Sequence, residues 1–247
     1  MTDIGLVAKA NIHTRRMERF IEGVSLLHQE LKGQVPIACE YISPFTVATR
    51  LRGTNEIMAD IYDLPEMIHQ LQKVLVPLDI EVGKLLIEAG VDYIFYGADM
   101  ECPLLISPDH YREFVHEPTR QAVNKLSEMG VRVLPHMCGE IVNTGIVDML
   151  LEMNIDGIMP GNLTQDTVLD LRSLKEKVGE RICIFDNLNP NGSLLGGKPD
   201  EVSQETRAHL ERAKGMSGYI FSTAGTASPI TPRENFDAMN REVLNYK

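Results

Sequence analysis

The residues of this chain best suited to chemistry are a histidine and a cysteine that follow a short apolar run. Val131–Pro135 has the composition of a β-strand, and His136 and Cys138 come directly after it, one residue apart. Alternate residues of a strand face the same side, so the two side chains can converge on one point. Imidazole nitrogen and thiolate sulfur are ligands that zinc prefers. The segment therefore predicts a zinc site, with two ordinary pocket residues as the alternative.

A zinc site at this point needs a third protein ligand, because two ligands rarely suffice. Glu101 and Cys102 follow the preceding predicted strand and are the leading candidates. Glu140, two residues past Cys138, would point from the start of the next helix and is the weaker candidate. A catalytic zinc keeps one position open, where it binds the reacting atom as a Lewis acid.

Polar and aromatic side chains also collect where the other predicted strands end, at the edge where parallel barrels keep their active sites. We expect Asp99 and Asp186 to be catalytic, by orienting a substrate or moving protons. The residues expected to contact the substrate are Tyr41, Phe45, Asn187, Asn189 and Ser222. As alternatives, Asp99 is a helix cap or a loop acid, and Asp186 and Asn187 satisfy backbone groups in a turn.

Strand-like and helix-like patterns alternate along the chain and must position these residues. The predicted strands are Val35–Ser43, Asp92–Tyr96, Val131–Pro135, Gly157–Met159, Arg181–Phe185 and Gly218–Ser222, with Ile4–Ala10 as a candidate seventh. A helix is predicted to start at Ser107, because a capping serine precedes a proline and an acid. Pro118 lies inside that helix and predicts a kink or a break. Further helices are predicted over Leu163–Val178 and Pro199–Ala213.

This alternation predicts an α/β fold in which helices cover a parallel sheet. Six strand–helix units are visible, whereas eight would close a barrel. No linker rich in Pro, Gly or Ser divides the chain, so residues 1–247 are expected to form one TIM-barrel-like domain. The expected fold is a (β/α)8 barrel that lacks or rearranges its first units.

Composition excludes several classes of partner. The net charge of −11 argues against nucleic acid, since phosphate binding requires a basic face, and gives no support to an anionic membrane surface. No apolar run approaches the roughly 20 residues of a membrane span, and the N-terminus has no signal-peptide core. The four cysteines are spread over a large chain. That spacing favours a reducing cytoplasm over a disulfide framework.

Several segments, taken in order, resemble the uroporphyrinogen decarboxylase superfamily, a group of (β/α)8 barrels. The matching segments are Pro44–Ala48, Ala89–Asp92, Leu105–Pro108, Tyr111–Phe114, Leu134–Gly139, Asp186–Pro190 and Pro229–Asn235. One branch of the superfamily decarboxylates uroporphyrinogen without a cofactor. The other contains corrinoid-dependent methyltransferases, which move methyl groups between methylated substrates, a corrinoid protein and coenzyme M. The His-x-Cys-Gly sequence at 136–139 is similar to the zinc motif of this second branch.

The chain departs from both branches. The methyltransferase branch carries a second cysteine shortly before its Pro-x-Thr-Pro element, and that position is Gly225 here. The decarboxylase branch has a histidine near the same point, an arginine-rich N-terminal segment and an early Asp-containing strand, none of which has a counterpart. The absence of the first strand–helix units would explain why six units are visible instead of eight. The chain is then either naturally short, with an open or rearranged barrel, or a fragment.

The resemblance implies a zinc-dependent methyltransferase that uses methylcobalamin, or another corrinoid, carried on a separate corrinoid protein docked over the barrel mouth. With Gly225 at the ligand position, an oxygen-containing zinc site would suit a methyl ether or methylamine donor better than a thiol acceptor. Demethylation of a donor thus fits as well as methylation of coenzyme M. The alternatives are a tetrapyrrole decarboxylase, which needs cationic side chains for many carboxylates, and a non-catalytic corrinoid- or partner-binding relic. A homodimer would cover the exposed strand edges of a shortened barrel.

Overall fold

The computed structural model describes residues 4–161, 169–223 and 225–246, and of residues 186 and 187 the backbone alone. Six parallel strands form one sheet in chain order. They are β1 Ala38–Ile42, β2 Tyr93–Gly97, β3 Arg132–Cys138, β4 Gly157–Gly161, β5 Cys183–Leu188 and β6 Tyr219–Thr223. Every predicted strand from β1 to β6 is confirmed, with its ends shifted by up to three residues. The predicted α/β fold with a parallel sheet is therefore correct.

The helices lie before the first strand, between the strands and after the last strand. They are α1 Ile4–Val7, α2 Arg15–Leu31, α3 Pro44–Arg52, α4 Thr54–Asp63, α5 Pro65–Glu88, α6 Pro108–His110, α7 Glu117–Glu128, α8 Ile146–Leu151, α9 Leu171–Val178, α10 Ser193–Gly196, α11 Pro199–Arg212 and α12 Arg233–Asn245. A 3-10 turn over Asp99–Glu101 and a π-helical turn over Tyr111–His116 complete the helical segments. No helix in the described part of the chain is long and apolar enough to cross a membrane.

The segment proposed as a seventh strand is helical, so that expectation is wrong. Ile4–Val7 forms α1, and the amide of Ala8 donates to the carbonyl of Ile4 at 2.9 Å. Ile4 and Val7 are three residues apart, so they share one face of the turn and pack together against the core. A strand would have placed them on opposite faces.

The helix predicted to bend at Pro118 widens into the π-helical turn just before that residue. Proline has no N–H, so in an α-helix the carbonyl of Phe114, four residues earlier, would lose its donor. The side-chain amide of Gln72, on α5, donates to that carbonyl at 3.3 Å. The predicted disturbance is therefore present as a widened turn supported by the neighbouring helix. The predicted start is also correct, since the Ser107 hydroxyl accepts from the amide of His110 at 3.2 Å.

The two faces of the sheet have different environments. One face carries buried residues beneath the helices, such as Ile94, Val133 and Ile184, each fully buried. The opposite face carries an aligned row, in which Glu40 of β1 pairs with Phe95 of β2.

Within the described residues β1 and β6 each pair with a strand on one side only, so the six strands leave the barrel open. A single domain over residues 1–247, and the homodimer, stay predictions.

Candidate active site

Three potential metal ligands meet where β2 and β3 end. They are Asp99, His136 and Cys138, and one ligand atom from each lies within 4.8 Å of the other two. His136 and Cys138 occupy alternate positions of β3, so they face the same side. Asp99 reaches them because β2 ends beside β3: Gly97 pairs with His136, and the amide of Ala98 donates to the carbonyl of His136 at 2.9 Å. The structure thus brings the two residues singled out in the sequence together with a third.

The imidazole of His136 is oriented by the backbone of the next strand. Its Nδ1 lies 3.1 Å from the carbonyl oxygen of Met159, its partner in the β3–β4 register. A carbonyl oxygen can only accept, so Nδ1 carries a hydrogen, and in the neutral imidazole Nε2 is the nitrogen with the free lone pair. A backbone carbonyl on the second nitrogen is a common way to fix the tautomer of a metal-binding histidine.

A glycine leaves room beside the two β3 ligands. Gly161 of β4 pairs with Cys138 in the sheet. A Cβ at Gly161 would lie 2.6 Å from Sγ of Cys138 and 2.9 Å from Cε1 of His136. Any larger residue would therefore push the two ligand side chains apart. The space next to Sγ and Nε2 depends on this glycine.

The electrostatics of Cys138 favour a cation. Burial, and then the nearby charges of Asp99 and Cys102, raise the pKa of the Cys138 thiol to about 12. Without a cation the thiol is therefore neutral at pH 7, whereas a bound metal deprotonates a coordinating thiol. Nitrogen, sulfur and oxygen ligands on one side, with a cleft on the other, fit a zinc site of the open kind.

The cluster forms one wall of a cleft of about 460 Å³. Its lining residues come from the ends of successive strands, as expected for the mouth of a parallel barrel. The lining residues are Glu40, Phe95, Asp99, His136, Cys138, Met159, Pro190, Asn191, Gly225 and Thr226. Gly225, where the resemblance would place a second cysteine, shares this cleft, and a Cβ there would meet nothing within 4 Å.

Glu101 and Cys102, the sequence-based choices for the third ligand, lie elsewhere. Both are fully buried. One carboxylate oxygen of Glu101 accepts from the hydroxyls of Ser43 and Thr46, and burial raises its pKa to about 8. Residues two apart in a 3-10 turn point about 120° apart, so the turn that directs Asp99 toward His136 directs Glu101 toward α3. In the described chain Asp99, and neither of these, completes the group.

Glu140, the weaker alternative ligand, accepts hydrogen bonds from the backbone of the turn that follows β3. Its carboxylate accepts from the amides of Val142 at 3.0 Å and Asn143 at 3.1 Å. The carboxylate therefore satisfies backbone donors and is outside the ligand group.

Tyr41 and Phe45, expected to contact the substrate, do not line the cleft. The Tyr41 hydroxyl donates to the backbone carbonyl of Asp79, and its ring packs edge-on against Tyr96 with centroids 5.6 Å apart. Phe45 is fully buried in the core. Because strand residues alternate, Glu40 faces the cleft and Tyr41 faces the helices.

Two of the remaining predicted residues, Asn189 and Ser222, do not line the cleft. Asn189 accepts from the amide of Asn191 at 2.9 Å, and so positions a residue that lines the cleft. The Ser222 hydroxyl donates to the carbonyl of Thr223 at 3.3 Å and is not in the lining. Asp186 and Asn187 are backbone partners of β6 in the sheet, and their side chains lie outside the described part of the chain.

Sequence reasoning missed Glu40, Phe95, Met159, Asn191 and Thr226 as lining residues. The alternation of β1 and β2 could have identified the first two. Glu40 is the neighbour of the predicted substrate contact Tyr41, on the opposite face of the sheet, and Phe95 is the partner of Glu40 on β2. The other three follow from strand ends whose exact positions the pattern did not define.

Comparisons with known proteins agree with this architecture. A methylcobamide:CoM methyltransferase of Methanosarcina acetivorans is 22% identical over 247 residues, which is 100% of this chain and 69% of the relative. A uroporphyrinogen decarboxylase of Pseudoalteromonas translucida is 24% identical over 226 residues, 87% of this chain and 60% of the relative. A solved methyltransferase from Methanosarcina mazei superposes with a TM-score of 0.76 at 23% identity, over 90% of this chain and 62% of that one.

The chain thus spans 60% to 69% of the length of these two curated relatives. Residues 1–246 match the family model described as uroporphyrinogen decarboxylase (URO-D). The match covers nearly the whole chain, including every strand and all three residues of the candidate metal group. The chain therefore belongs to the uroporphyrinogen decarboxylase family.

Proposed function

We propose that the protein is a zinc-dependent methyltransferase that moves a methyl group between a small methylated substrate or thiol and a corrinoid protein. The observation that carries this proposal is the convergence of Asp99, His136 and Cys138 on one wall of an open cleft. Relatives named methylcobamide:CoM methyltransferase support the choice of methyl transfer within the family.

The three side chains would hold zinc, which when bound supplies a Lewis acid at its open position. Met159 keeps Nε2 of His136 directed at the site through its backbone carbonyl. Gly161 keeps the neighbouring space free. The cleft receives the substrate, and its mouth at the strand ends is the side on which a corrinoid protein would dock. Asp186 stays a candidate for orienting the substrate.

The charge of the cleft disfavours the decarboxylase alternative. A substrate with many carboxylates requires several cationic side chains around it. Among the described residues that line the cleft there is no lysine or arginine, whereas Glu40 and Asp99 add negative charge. Relatives named uroporphyrinogen decarboxylase are as similar in sequence, so release of carbon dioxide from uroporphyrinogen is the direct test of that alternative.

Metal analysis of the purified protein tests the proposal. We expect about one zinc per chain, lost in His136→Ala and in Cys138→Ala and retained in Cys183→Ala, a thiol outside the candidate group. The zinc-loaded protein should then accept or donate a methyl group in an assay that follows the absorbance of free methylcobalamin. A protein with neither bound zinc nor affinity for added zinc would refute the zinc-dependent mechanism.

A further inference from the structure

The cleft beside the candidate metal group carries an uncompensated negative charge. Glu40 and Asp99 line it, and no lysine or arginine does so among the described residues. Residues 162–168, which follow β4 in the chain, contain no lysine or arginine in their sequence either. The charged side chains that line the cleft are therefore anionic.

Zinc would neutralise one of the two carboxylates but not the other. A Zn²⁺ ion held by neutral His136, the Cys138 thiolate and the Asp99 carboxylate forms a group with no net charge. Glu40 is outside that group, and its carboxylate has no ion-pair or hydrogen-bond partner within the described residues. The free charge of the loaded cleft is then the carboxylate of Glu40.

Glu40 lies next to an aromatic residue and lines the same cleft as the metal group. It pairs in register with Phe95, which also lines the cleft. Its Oε1 lies 3.9 Å from the position of a Cβ on Gly97, and Gly97 pairs with His136 on the next strand. Glu40 and His136 line the same cleft. A carboxylate next to an aromatic ring is a combination that binds substituted ammonium ions.

We propose that the cleft selects a methylated organic cation, a substituted ammonium compound, as the methyl donor. The inference rests on the proposed function, because it takes the methyl group of the cation as the group transferred. Glu40 and Phe95 would bind the ammonium centre while the methyl group points away from them. On transfer the carbon–nitrogen bond breaks with its electron pair staying on nitrogen, and the acceptor, a reduced corrinoid, contributes the pair for the new bond to carbon. The product amine forms uncharged, so its attraction to Glu40 is weaker than that of the cation until it takes up a proton from water.

Calorimetric titration with two probes of equal shape tests the inference. The first is choline, and the second is its uncharged analogue, in which a tert-butyl group replaces the trimethylammonium group. We expect the zinc-loaded protein to bind choline at least about tenfold more tightly than the analogue. Glu40→Gln should reduce that ratio to about one, whereas Glu88→Gln, an exposed glutamate on α5, should preserve it.

The preference should persist after zinc is removed, because it arises from Glu40 and not from the metal. Equal affinities for the two probes in the unaltered protein, or an unchanged ratio in Glu40→Gln, would overturn the inference. A protein that demethylates a neutral methyl ether and binds both probes equally would support the proposed function and contradict the inference. Selective binding of choline without methyl transfer to any corrinoid would contradict both, because the bound cation would then not be a methyl donor.

Discussion

The Nδ1 atom of His136 and the backbone carbonyl of Met159 are 3.1 Å apart across the β3–β4 pair. The donor is a side chain and the acceptor is main chain, so the orientation of the imidazole is set by the sheet itself. Nε2 is thereby presented to Asp99 and Cys138 before any metal binds. Since no substitution of Met159 removes its carbonyl, the site is best tested at its other members.

The first prediction concerns the third ligand. Asp99→Asn should lower zinc affinity by at least about tenfold, because an amide oxygen replaces a charged carboxylate. Glu101→Gln, the same change two residues later, should leave zinc affinity unchanged, since Glu101 binds the hydroxyls of Ser43 and Thr46. Competition with a chromophoric chelator measures both constants. A loss of affinity in Glu101→Gln alone would assign the ligand to Glu101 and contradict the observed group.

The second prediction concerns the space around the ligands. Gly161→Ala places a methyl group 2.6 Å from Sγ of Cys138 and 2.9 Å from Cε1 of His136, so the ligands must shift. We expect zinc affinity to fall by about tenfold or more while the protein stays folded. Gly225→Ala is the matched control, because its methyl group would meet nothing within 4 Å in the same cleft. Equal affinities in the two variants would show that Gly161 does not shape the site.

The third prediction uses the empty position at Gly225. Gly225→Cys adds a thiol to the lining of the cleft that contains His136 and Cys138. We expect the thiolate-to-metal absorption of the cobalt(II)-substituted protein to rise by about twofold, as two thiolates replace one. Gly225→Ser adds a side chain of similar size without a soft ligand and should leave the spectrum unchanged. An unchanged spectrum in Gly225→Cys would place residue 225 too far from the metal.

The sheet and the core of the site are predictable from the sequence because their signals are local. Short apolar runs identify β1 to β6, and the two-residue spacing of His136 and Cys138 places both side chains on one face. Because helices connect consecutive strands, the sheet is predicted to be parallel. These inferences need no knowledge of distant contacts, and for that reason the strands agree with the structure to within a few residues.

The errors arise at positions where a shift of one residue in the pattern reverses the direction of a side chain. In β1, a shift of one residue in the pattern decides whether Tyr41 or Glu40 faces the cleft. The 3-10 turn after β2 likewise directs Asp99 and Glu101 to different sides, and the spacing of the two residues in the sequence does not predict that turn. Both are acids near a strand end, so composition alone could not choose between them.

The fourth prediction concerns Asp79, a buried acid of α5 that accepts from the Tyr96 hydroxyl at 2.8 Å. Burial raises the pKa of this carboxyl from 3.8 to about 7, although the hydrogen bond from Tyr96 opposes the shift. The folded protein therefore binds a proton that the unfolded chain releases near pH 4. The stability that Asp79 contributes is complete below pH 3.8 and is lost as the pH rises to about 7.

Asp79→Asn replaces the protonated acid with a neutral group of the same shape that can still accept from Tyr96. The variant should match the unaltered protein near pH 4 and exceed its free energy of unfolding by an amount on the order of 4 kcal/mol above pH 7. Urea denaturation at several pH values, with a chelator present to keep the Cys138 site empty, measures the difference between the two curves. Asp63→Asn, an exposed acid at the end of α4, should leave the curve in place. Glu101, whose pKa is also raised, contributes equally to both proteins. A constant offset between the two proteins at all pH values would therefore mean that folding does not shift the pKa of Asp79.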